Sequence, residues 1–111
     1  MPYDEVIASR IRDLLADDPT VTEKKMFGGL AFLVGGHMAV AASSSGGALV
    51  RVDPARLDRL VATTAAVPMV MQGRPMAGWL TVPASELVTK REVARWAKVG
   101  VDYARTLPPK P

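Results

Sequence analysis

Hydrophobic residues recur at helical spacing in three parts of this 111-residue chain. The pattern predicts an amphipathic helix from Tyr3 to Ala16, a short helix from Asp53-Pro54 to about Thr64, and a C-terminal helix from about Thr89. Pro19 ends the first helix, Asp53 can cap the second, and Thr89 and Glu92 have capping-box spacing for the third. The three apolar stripes consist of Ile7, Ile11, Leu14 and Leu15; of Leu57, Leu60 and Val61; and of Val93, Trp96, Ala97, Gly100, Val101 and Ala104.

Shorter apolar runs between these helices predict five strands. The first is extended structure from Thr22 to Val34, in which Gly28-Gly29 indicates a bulge or a close backbone approach. Gly35-Gly36 is typical of a two-residue hairpin turn, and residues 73–78 predict a turn or loop. The other strands are His37 to Ala42, Ala48 to Val52, Val67 to Met71 and Trp79 to Val82. Because the connections are too short for crossovers, we expect an α+β fold with the order α-β-β-β-α-β-β-α, an antiparallel five-stranded sheet and helices packed on it.

Length and composition fit one domain, which we place at residues 1–107 with a flexible tail at 108–111. Cysteine is absent, so disulfides and thiolate metal sites are excluded. The acidic, polar start of the chain does not resemble a secretory signal, and the apolar run from Leu30 to Ala42 is too short and too interrupted to span a membrane. We therefore expect a cytoplasmic protein with no membrane association.

The residues form no recognisable catalytic or cofactor motif. His37 is the single histidine, which leaves a zinc site without enough ligands. A catalytic triad that uses His37 with one of Ser43 to Ser45 is formally possible, but the loop lacks a nucleophile elbow, so a surface histidine is favoured. The glycine pairs do not match a phosphate-binding loop. We expect no enzyme activity, no metal and no cofactor.

The candidate contact residues are mostly basic, although the net charge of +3 is compatible with an ordinary solvated surface. Arg74, in the predicted glycine/proline loop, could bind a carboxylate or phosphate, and Arg51 on a strand has the same alternatives of ligand contact or pairing within the fold. The last helix carries Lys90, Arg91, Arg95 and Lys98, which could contact DNA phosphates or simply be solvated. Trp79, Trp96 and the methionines Met69, Met71 and Met76 favour core packing, with an adaptable binding surface as the alternative.

Three motifs in order identify a resemblance over nearly the whole chain. Lys25-Met26-Phe27-Gly28-Gly29 precedes a hairpin, Leu49-Val50-Arg51-Val52-Asp53 precedes a helix, and Gly73-Arg74-Pro75-Met76-Ala77-Gly78-Trp79 is followed by Val82-Pro83. Together with Arg95-Trp96-Ala97, they resemble the N-terminal domain of the TfoX/Sxy competence-regulator family, here in a standalone form. The resemblance implies a fold similar to type III secretion chaperones and kinship with regulators of DNA uptake, and it brings no catalytic residues. Full-length members carry a second, helical C-terminal domain.

Three functional hypotheses follow. The first is a non-enzymatic regulatory or adaptor domain that acts by protein–protein contact, with homodimerisation through a sheet edge or face as one form of it. The second is a DNA-associated module using the basic C-terminal helix, which is favoured if Lys90, Arg91, Arg95 and Lys98 form one uninterrupted positive face. The third is a small-molecule-binding domain, which requires a concave pocket beside residues 73–78.

Overall fold

The computed structural model describes residues 3–26, 28–44 and 46–108, and for Met71 it describes the backbone only. Three α-helices and six strands follow one another in these described residues. The helices are α1 (Glu5–Leu14), α2 (Leu57–Thr63, preceded by a 3-10 turn at Pro54–Arg56) and α3 (Lys90–Ala104, preceded by a 3-10 turn at Ala84–Glu86). The strands are β1 (Val21–Met26), β2 (Gly29–Val34), β3 (His37–Ala42), β4 (Ala48–Arg51), β5 (Val67–Met71) and β6 (Arg74–Val82).

The strands form one antiparallel sheet in the order β1-β2-β3-β4-β6-β5, so the prediction of five strands is wrong. The extra strand arises at the first glycine signature. Met26 pairs with Gly29, and Gly28 has a φ of 76°, so the chain reverses there in a tight turn. Phe27 lies outside the described residues. The pattern from Thr22 to Val34 is therefore two paired strands.

The prediction of a turn or loop over residues 73–78, the second glycine signature, is also only partly right. The turn of the β5–β6 hairpin consists of Gln72 and Gly73, both with positive φ, and β6 begins directly at Arg74. The register between β5 and β6 shifts between Pro68 and Val70. Residues 74–78 are strand residues, since β6 continues unbroken to Val82.

The predicted turn and caps elsewhere are confirmed. Gly35 and Gly36 have φ values of 59° and 87° and connect β2 to β3. The Asp53 carboxylate accepts a hydrogen bond from the amide of Ala55 at 2.9 Å. At the start of α3, Thr89 and Glu92 form the complete capping box, which satisfies two amides that the helix itself leaves unpaired.

All three helices pack on the same face of the sheet, where the main core lies. Strand side chains alternate between faces, and one set faces the helices: Leu30, Phe32, Val40, Ala42, Ala48, Val50, Leu80 and Val82. They contact the buried stripes of α1 and α3, which include Ile7, Ile11, Val93, Trp96 and Ala97. Leu14 was predicted to lie in the buried apolar stripe of α1, but its side chain is 47% exposed. The opposite face of the sheet has no helix against it in the described part of the chain.

Candidate functional site

The helix-free face of the sheet carries small and apolar side chains in its centre. Ala31 pairs with Ala41 in neighbouring strands, and Leu49 pairs with Thr81 two strands further on. Ala31 and Ala41 are buried, yet they belong to neither core cluster formed with the helices. We call this surface, defined by Ala31, Ala41, Leu49 and Thr81, the open face.

A groove of about 240 Å³ lies in the open face. Met26 on β1 and Met69 on β5 both line it, although these strands are at opposite edges of the sheet. The edges of a flat six-stranded sheet would be about 24 Å apart, so the sheet must curl around the groove. Met38 and Leu49 complete the apolar wall, while Ala31 and Ala41 form the floor.

The first glycine signature forms one end of this groove. An added Cβ at Gly29 would lie 2.3 Å from the carbonyl oxygen of Ala42, so only glycine allows the β1–β2 turn to approach the end of β3 this closely. Gly29, Ser43 and Ser44 line the groove there together with Met26. The signature therefore positions a surface feature as well as bending the chain.

For Met69, Met71 and Met76 the alternative to core packing is an adaptable binding surface, and it applies to part of this set. Met69 lines the groove with Met26 and Met38, and no local pattern groups these two residues with Met69. Met76 is half-buried outside the groove lining, and the side chain of Met71 lies outside the described residues. Methionine side chains adapt their shape to different apolar partners, so the groove wall suits binding better than a rigid aliphatic wall would.

Arg51 makes its contacts within the fold. Its guanidinium lies 5.2 Å from the centroid of the Trp79 ring and 5.9 Å from that of Tyr103. Trp79 is half-buried and Trp96 is buried in the core. Pairing within the fold, which was the alternative to ligand contact, therefore accounts for the contacts of Arg51.

Arg74 is exposed at the tip of the β5–β6 hairpin, where it pairs across the turn with Met71. It forms no ion pair with any described residue. None of residues 73–78 lines the groove, which ends at Val70 and Thr81 on these two strands. Arg74 is thus a solvated cation beside the open face rather than part of a concave pocket.

The basic residues of α3 share their surface with an acid. Arg91, Arg95 and Lys98 follow one another at helical spacing and are exposed. Asp102 continues the same row and binds Lys98 at 2.7 Å, while the Arg95 guanidinium lies 5.5 Å from the Trp96 ring centroid. Lys90, also exposed, stands at the first turn. The row is therefore not an uninterrupted positive face, which is the arrangement that would favour the DNA hypothesis.

His37 and Ser43 lie at opposite ends of β3, roughly 20 Å apart at the usual rise of a strand. The His37 Nε2 atom is 2.6 Å from the carbonyl oxygen of Pro108 instead. Ser45 and residues 109–111 of the predicted tail lie outside the described residues. Within the described residues, no group of three or more histidine, aspartate or glutamate side chains could hold a metal ion.

A wider hollow of about 620 Å³ lies near the loop between α1 and β1. Asp17 and Asp18 are the acidic residues of its lining, and Asp18 has a pKa lowered from 3.8 to about 2 by hydrogen bonds from the Thr20 hydroxyl and amide, and then by Arg105. Leu14, Val34 and Ala104 form apolar parts of the wall. Since its carboxylate is already bound by Thr20 and Arg105, Asp18 serves the fold and does not point to a ligand.

Two further observations bear on the class of protein. In the described ranges no helix is long and apolar enough to cross a membrane. The sheet edges differ, because β1 presents Glu23, Lys24 and Lys25 while β5 has no charged residue and contains Pro68. Charged residues and proline both discourage edge pairing, so the predicted homodimer stays a prediction.

Comparison with known proteins gives one match. In searches of curated proteins and of solved structures nothing matches this chain, so the similarity to type III secretion chaperones stays a prediction. The family model described as the TfoX N-terminal domain matches residues 13–104. This range runs from within α1 to the last residue of α3 and includes all six strands and both glycine signatures. The chain therefore belongs to the TfoX N-terminal domain family.

Proposed function

We propose that this chain is a regulatory domain of the competence-regulator kind, which acts by protein–protein contact through the open face and has no catalytic activity of its own. The proposal rests on the observation that, in the described part of the chain, helices cover only one face of the sheet. Helices bury one face, while the other keeps an apolar groove walled by Met26, Met38, Met69 and Leu49. Apolar concave surfaces of this kind usually mark interaction sites.

The side-chain chemistry supports a binding role rather than a catalytic one. Every buried side chain of the described core is nonpolar, so the interior holds no desolvated acid or base of the sort that active sites use. The two carboxylates with lowered pKa values, Asp18 and Glu23, are held by Arg105 and Arg12 respectively and lie outside the groove lining. Family membership adds the regulatory context.

The proposal is tested by complementation in the source organism. Deletion of the gene should lower the transcripts of DNA-uptake genes, and the wild-type gene should restore them. Met38→Lys, which places a charge in the groove, should restore them poorly even though the variant folds, as checked by circular dichroism. The matched control is Arg91→Ala with Lys98→Ala on the exposed side of α3, which should restore them fully.

Two results would contradict this proposal. Full restoration by Met38→Lys would show that the groove is not used. Loss of restoration by the α3 variant alone would favour the DNA-associated alternative, because those substitutions remove cations without touching the open face.

A further inference from the structure

The size of the groove limits what it can hold. Small-molecule sites commonly measure about 300–1,000 Å³, and a cavity of about 150 Å³ is enough for benzene. At about 240 Å³ the groove is matched to one large apolar side chain, such as a phenylalanine or leucine from a partner. Its volume is small for a complete drug-sized ligand.

The surroundings of the groove are positively charged. Lys24 on β1 pairs with Ala31 and therefore shares the open face with it. On the opposite edge, Arg74 stands at the hairpin tip and pairs with Met71, two residues after the groove-lining Met69, so Arg74 lies on the same face of the sheet as Met69. Neither cation forms an ion pair with a described residue, so both remain available to an external carboxylate.

Acidic groups are absent from the strand residues of this face. Glu23 is the single acid in the six strands, and it points to the helical side, where Arg12 donates to it at 2.7 and 2.9 Å. A partner with carboxylates on both sides of an apolar residue would thus meet cations and no anion on the strands.

We propose that the open-face groove holds one large apolar side chain of an acidic peptide segment from a partner protein, with Lys24 and Arg74 binding its flanking carboxylates. This inference rests on the proposed function and names the chemistry of the partner. A second copy fits less well, because a two-fold interface through this face would set two faces against each other whose strands carry cations and no acid. Nucleic acid fits less well too, because the centre of the groove offers methionine and alanine rather than donors for phosphate.

The test uses a synthetic nonapeptide with a central phenylalanine flanked on both sides by aspartate and glutamate. The protein carries ¹³C-labelled methionine methyl groups, and binding is followed by NMR during a peptide titration. We expect the methyl signals of Met26, Met38 and Met69 to shift and that of Met76 to stay, since Met76 does not line the groove. The wild-type protein suffices for this measurement, so it does not depend on a variant folding.

Peptide variants separate the two parts of the recognition. Replacing the central phenylalanine by alanine should abolish the shifts at Met38 and Met69, and replacing the acidic flanks by lysine should weaken binding at least tenfold. The charge-reversed protein Lys24→Glu with Arg74→Glu should also bind the acidic peptide about tenfold more weakly, which corresponds to about 1.4 kcal/mol. Arg95→Glu, on the helical side of the molecule, is the matched control and should bind as the wild type does.

Several outcomes would overturn the inference. If the alanine peptide binds as tightly as the phenylalanine peptide, the interaction is nonspecific charge attraction. If the Met76 signal shifts as much as the groove methionines do, the peptide does not bind specifically in the groove. Groove shifts caused by raising the protein concentration alone would assign the face to a second copy, and shifts caused by a DNA duplex would assign it to nucleic acid. If Met38→Lys fails in the complementation test but the acidic peptide shifts none of the groove methionines, this inference falls and the proposed function stands.

Discussion

The guanidinium of Arg51 lies over the Trp79 ring, 5.2 Å from its centroid, and also contacts the ring of Tyr103, whose centroid is 5.9 Å away. The three residues belong to β4, β6 and α3, which are far apart in the sequence. Arg51 also pairs with Trp79 in the sheet register. One side chain therefore links two neighbouring strands to the C-terminal helix.

Arg51→Ala should destabilise the fold. Cation–π contacts at partly exposed sites are worth about 0.5–1 kcal/mol each, so we expect a loss of about 1 kcal/mol in the free energy of unfolding. Urea unfolding followed by circular dichroism measures this change. Arg74→Ala is the matched control, because it removes an exposed arginine without ring contacts, and it should leave stability unchanged. Equal effects of the two variants would contradict the structural role of Arg51.

Gly100→Ala should destabilise the protein even though alanine favours helices over glycine by about 1 kcal/mol. An added Cβ at Gly100 would lie 2.2 Å from the carbonyl oxygen of Ala39, where α3 crosses β3. Because backbone must shift to relieve this contact, we expect a net loss of about 1–3 kcal/mol in urea unfolding. The exposed control Lys98→Ala should change stability by less than about 0.5 kcal/mol. A stabilised Gly100→Ala variant would refute this close packing.

The contribution of Asp18 to stability should depend on pH. Its pKa is lowered from 3.8 to about 2, so the folded state favours the carboxylate more than the unfolded state does. The resulting stabilisation is complete above about pH 4 and is lost as the pH falls towards 2. Asp18→Asn should therefore be less stable than the wild type at pH 7, and the difference should disappear near pH 2.

The cause of this lowered pKa can be tested separately. Thr20→Val removes the hydroxyl that makes the largest contribution, so the pKa of Asp18, measured by carboxyl NMR titration, should rise towards 3.8. Arg105→Ala should raise it as well, because Arg105 lowers the pKa of Asp18 both by a hydrogen bond and by its positive charge. An unchanged pKa in Thr20→Val would contradict the assigned hydrogen bonds.

Loss of the capping box should weaken α3. Thr89→Ala removes the acceptor for the amide of Glu92, which lies 3.1 Å from the Thr89 hydroxyl oxygen. Substitutions of this type cost about 1 kcal/mol, and we expect that loss in thermal or urea unfolding. Thr89→Ser keeps the hydroxyl and should retain most of the stability. A serine variant as unstable as the alanine variant would point to a cause other than the cap.

Local sequence patterns correctly predicted those elements whose structure depends on residues close together in the sequence. The stripe of α3, its cap at Thr89 and the Gly35-Gly36 turn were all visible, because each involves residues only a few positions apart. For the first glycine signature the pattern indicates a bulge or a close backbone approach. The structure has a hairpin turn in place of a bulge, and it has the close approach, between Gly29 and the carbonyl oxygen of Ala42. A glycine pair is compatible with both a bulge and a hairpin turn, and only the pairing of Met26 with Gly29 distinguishes them.

The sequence by itself determined the α+β class, the three helices and the family, because periodicity, capping residues and motif order are properties of the chain alone. Only the tertiary structure decided that the sheet has six strands and that its helix-free face is grooved. The groove joins Met26 and Met69, which lie on opposite edge strands. No local pattern encodes that approach, because it depends on how the whole sheet twists and curls as the helices pack against its other face.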